Sequence, residues 1–162
     1  MGGNNLLKDN LDYEDINSFK IIFDDDYNSV ELISLFDNFK KNNNRLEIIS
    51  LDELDLNNNS NFIENIKNFD MLKCFYVNND CIFKDNNQLI QLLVNLSKLK
   101  SLYLIEIKME HELKLSKDDN KTICKLFPDI SIESDKDSSS IKWNNHNIQF
   151  NDKKLNNRNY IN

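Results

Sequence analysis

A short pattern, apolar-x-x-apolar-x-apolar, recurs five times along this chain at nearly constant spacing, and no other feature restricts its fold as strongly. The copies read Ile16, Phe19, Ile21; Leu46, Ile49, Leu51; Leu72, Phe75, Val77; Leu99, Leu102, Leu104; and Phe127, Ile130, Ile132. Successive starts lie 30, 26, 27 and 28 residues apart. Three apolar positions arise easily in a chain rich in Ile and Leu, but five copies in one register do not. Within each copy the last two apolar residues are two apart, the period of a strand with one face buried.

The intervening residues carry the other period. Val30, Leu32, Ile33, Phe36 and Phe39 follow the first copy at helical spacing, and Phe62, Ile63, Ile66 and Phe69 follow the second. Leu89, Leu92, Leu93 and Leu96 form the cleanest amphipathic stripe. Phe69, Leu96 and Cys124 each stand three residues before the next copy, so the helices are expected to share a register with the strands. The fourth helix is poorer in apolar residues, with Lys121 at an expected core position and a polar run from Ser116 to Asn120.

The third copy continues through Asp80 and Ile82, reproducing L-x-x-L-x-L-x-x-N/C-x-L with Asp80 at the Asn place. The second continues with Leu54 and Leu56 and the fourth with Ile107 and Met109. The first and fifth have acids there instead, Asp24 and Asp26, and Asp135 and Asp137, as suits the ends of an array. The sequence resembles the ribonuclease-inhibitor-like subclass of leucine-rich-repeat proteins over residues 16–135. That resemblance implies an α/β solenoid of about five repeats, with parallel strands on the concave side and helices on the convex side. It departs from the family in replacing the usual Asn or Cys and in having two Gly and no Ala.

Outside the array, residues 1–15, with Leu6, Leu7, Leu11 and Tyr13, read as a capping segment. Residues 136–162 read as a hairpin-like cap and a polar tail, with Ile141, Trp143, Ile148 and Phe150 alternating around Asn144 to Asn147. The 29 Asn residues are expected mainly in loops and caps. Cys74, Cys81 and Cys124 form no close pair, which points to reduced thiols in the cytoplasm. The sequons beginning at Asn58, Asn95 and Asn120 read as accidents of an Asn-rich chain without a signal peptide. A net charge of −7 argues against nucleic acid as a partner, and no run of apolar residues is long enough to span a membrane.

If strand residues alternate, the third, fifth and seventh positions of each copy face outward onto the concave surface. These positions place Tyr76 and Tyr103 side by side in the two central repeats, flanked by Ile48 and Ile105, with Asp52 among the acids nearby. Central tyrosines and exposed apolar clusters favour protein recognition, so these five residues are the expected partner-binding patch. Tyrosines also suit strands for packing alone, and that reading stands beside the first.

Catalytic chemistry finds little purchase. His111 and His146 have no ligand at metal-binding spacing, and Cys74 has no evident base. Asp24, Asp26 and Asn28 open like a calcium loop, but Ser29 and Leu35 break it at its sixth and twelfth places. With glycine only at Gly2 and Gly3, no phosphate-binding loop can form. The expectation is a monomeric scaffold, not an enzyme, that binds a protein partner without cofactor or metal. The alternatives are a small α/β domain with an enzymatic activity and, by family analogy, the substrate-recognition part of a ubiquitin-ligase adaptor.

Overall fold

A computed structural model describes residues 18–22, 46–52, 54–78 and 81–145, the first of these stretches as strand pairing only. The capping segment 1–15, the first expected helix, the calcium-like run Asp24 to Leu35, His146 and the tail lie outside the described residues.

Among the described residues six strands form one open sheet: β1 (Ser18–Ile22), β2 (Ile48–Asp52), β3 (Cys74–Val77), β4 (Leu104–Met109), β5 (Ser131–Ser134) and β6 (Ser139–Asn144). Their spatial order is β1-β2-β3-β4-β6-β5. The first four pair in parallel, whereas β6 runs antiparallel to both β4 and β5. Three helices are described: α1 (Ser60–Asn65), α2 (Asn86–Leu96) and α3 (Lys117–Leu126).

This arrangement corrects the expected solenoid. A fifth repeat should add a fifth parallel strand beside β4, but β6 takes that place and pushes β5 to the edge. The physical reason lies in a tight turn. The Asp135 carboxylate accepts the backbone N–H groups of Asp137 and Ser138, both at 2.9 Å, and the Asp135 N–H donates to the Ser138 carbonyl. The chain therefore reverses directly after β5, as Asx turns allow. The returning strand supplies Ile141, fully buried, opposite Ile107. By contrast, β5 offers only half-buried Ile132.

Each helix forms for legible local reasons. In α2, Asp85 caps the first turn by accepting the Gln88 N–H at 2.9 Å, and Leu89, Leu92, Leu93 and Leu96 are buried along one stripe. In α3, Ser116 caps Asp119, Asp118 and Asp119 occupy the first turn and Lys125 the last, the arrangement favoured by the helix dipole. Its buried face holds Ile123, not Cys124 as the repeat register predicts; Cys124 is exposed. Helix α1 is short, burying Phe62 and Ile63 before a 3-10 turn at Ile66–Asn68.

These helix residues share one core with Ile49, Leu51, Phe75, Val77, Ile105, Ile107 and Ile141, which alternate onto a single face of the sheet. Polar side chains stitch neighbouring units together within this layer. Asn95, buried, donates to the Ile63 carbonyl at 2.9 Å, and Gln88 donates to the Leu56 carbonyl at 2.7 Å. Asn86 likewise donates to the Lys114 carbonyl at 2.7 Å.

Candidate functional site

The described helices all pack on one face, so attention falls on the other. There the strand register sets out two rows of side chains. Ile48, Cys74, Leu104 and Asn144 stand beside one another on β2, β3, β4 and β6, followed by Ser50, Tyr76, Glu106 and Lys142. Ile48, Cys74 and Tyr103 form a second, small apolar cluster, with Tyr76 and Leu104 half-buried against it. Polar groups lie around it: Asp52 is half-exposed, and Lys108 pairs with Glu106 at 3.1 Å.

Two successive backbone bulges shape this face. The N–H groups of Lys73 and Cys74 both donate to the Glu47 carbonyl, and those of Tyr103 and Leu104 both donate to the Lys73 carbonyl. Two residues opposing one is the geometry of a bulge, which changes the face to which the following residues point. It reconciles a three-residue step, Leu72 to Phe75 or Leu102 to Ile105, with both ends in the main core. At this end of the strands the Lys73 ammonium meets the buried Glu47 carboxylate at 2.6 Å.

The five residues expected to form the binding patch are therefore not all brought together. Tyr76, Tyr103 and Ile48 share the face opposite the described helices and one cluster. Asp52 lies on the same face, two residues beyond Ser50 along β2. Ile105 is corrected: it stands beside Phe75, 1% exposed, in the main core. Nor are the two tyrosines side by side, because Tyr76 is the neighbour of Glu106. Tyr103 and Ile48 contribute burial more than contact surface, at 6% and 0% exposed. Leu104, assigned inward from the sequence, is the half-exposed residue that this reading missed. Its signal was available, since Leu102, Ile105 and Ile107 satisfy the same apolar pattern three residues later.

Two depressions adjoin this face, with Asn144 lining one and Lys108 and Lys142 the other. One, of about 410 Å³, is lined by Leu102, Phe127, Pro128 and Trp143 with Lys100 and Asp129 among its polar residues. The Trp143 ring meets Phe127 edge-on at 4.9 Å, and its Nε1 donates to the Pro128 carbonyl at 3.2 Å. The other, of about 330 Å³, lies between Lys108, Lys142 and the Ser134–Ser139 hydroxyls. Ser134 and Ser139 lie 2.8 Å apart there, and the Ser139 hydroxyl also donates to the His111 carbonyl.

At the carboxyl ends of the parallel strands, where open α/β sheets commonly hold ligands, chain crosses to chain. Leu56 N–H donates to the Ile82 carbonyl and Ile82 N–H to that of Leu54. Among the described residues no group of three or more His, Cys, Asp or Glu could hold a metal, and no helix is long and apolar enough to cross a membrane. His111 is exposed, its Nδ1 lying 3.0 Å from the Glu112 carbonyl oxygen. Cys74 and Cys81 are buried.

No family model matches this chain, and no curated protein or solved structure matches it either.

Proposed function

We propose that this chain is a cytoplasmic, monomeric binding module for another protein, performing no chemistry of its own, and that the partner docks on the face of the sheet opposite the described helices. The observation that carries this reading is the second apolar cluster, where half-exposed Tyr76 and Leu104 lie over buried Ile48, Cys74 and Tyr103. An aromatic and an aliphatic side chain held on a buried base, with charged groups around them, have the composition of a small interface centre with a polar rim. Asp52, Glu106 and Lys108 supply that rim. A net charge of −7 disfavours a polyphosphate partner.

Affinity purification with the intact chain, followed by mass spectrometry, identifies the partner, and titration calorimetry then measures its binding to variants. Tyr76→Ala with Leu104→Ala is expected to weaken binding at least about tenfold, the scale of losing an interface centre. Ile82→Ser, which removes a 59% exposed side chain outside that cluster, is expected to leave binding unchanged. Equal affinity of the parent and the folded Tyr76/Leu104 variant overturns the assignment.

A further inference from the structure

We draw no further inference here: the strongest candidate, the cleft of about 410 Å³ between the α2–β4 loop, the α3–β5 loop and the end of β6, has Phe127 and Trp143 in its lining and Lys100 and Asp129 among its polar residues, but nothing in the structure shows what covers it.

Discussion

The side-chain amide of Asn95 on α2 donates to the backbone carbonyl of Ile63 on α1 at 2.9 Å, out of solvent. The bond joins two helices across 32 positions of sequence and satisfies a buried polar side chain. Asn95→Leu removes the donor and leaves the carbonyl without it in an apolar layer. Such a loss costs about 1–3 kcal/mol. Urea unfolding followed by circular dichroism should show a lower midpoint at unchanged slope. An unaltered midpoint would mean that the bond adds nothing to stability.

Adjacent residues on β3 should respond in opposite ways. Phe75 is 0% exposed and belongs to the main core, whereas its neighbour Tyr76 lies half-buried on the other face. Phe75→Ala is expected to cost about 3–5 kcal/mol through lost burial and the cavity left behind. Tyr76→Ala is expected to cost about 1 kcal/mol or less, in the range of partly exposed positions. Thermal unfolding of the two variants measures the difference directly; equal destabilisation would contradict the assignment of faces.

Lys73 and Glu47 hold the amino-terminal ends of β3 and β2 together through an ion pair of 2.6 Å. The carboxylate side chain is 8% exposed and the lysine side chain 29%, so the pair is only partly screened by water. Lys73→Met removes a cation from beside a buried carboxylate, and the partial exposure of the lysine discounts the penalty to about 1–3 kcal/mol. Replacing both, Glu47→Leu with Lys73→Met, should recover part of that loss. A double variant less stable than the sum of the single ones would show that the pair is not the relevant interaction.

The hairpin turn carries a pH dependence whose sign is set. The N–H of Asp137, then the N–H of Ser138, hold the Asp135 carboxyl below its ordinary value of 3.8, against an opposing effect of desolvation and with a lesser contribution from the Ser138 hydroxyl. The ionised form is thus favoured in the fold. Its contribution is complete above the unfolded-state pKa and is lost as pH falls through the lower, folded value. Carboxyl titration by NMR should place the Asp135 midpoint under 3.8 in the folded protein. A midpoint at or above that value would mean that the turn does not favour the charged carboxylate.

Individual elements, though not the architecture, were legible in side-chain period. The stripe Leu89, Leu92, Leu93 and Leu96 marked a helix, and the alternations Ile49–Leu51 and Phe75–Val77 marked inward strand positions. The fourth unit was not legible, because Leu99, Leu102, Leu104 and Leu102, Ile105, Ile107 are equally good copies of one pattern. The structure adopts the second: Leu102 stays in the core and the bulge at Tyr103 and Leu104 turns Ile105 inward. A slip of three residues, being odd, exchanges the two faces of a strand. That is why Ile105 left the expected patch and Leu104 joined it. The reversal after β5 was hidden for a different reason: its signal was the Asp135 carboxylate meeting two backbone N–H groups, not an apolar repeat.

Strand β6 lies between β4 and β5, which ends the parallel run at β4. Through-space NMR contacts in the isotopically labelled chain test it directly. Backbone contacts are predicted between Ile107 and Ile141 and between Ile105 and Trp143, in antiparallel register. Ile107 and Ile132 should show none, standing two strands, about 9–10 Å, apart. Contacts between Ile107 and Ile132 in parallel register, without those to Ile141, would contradict the mixed sheet.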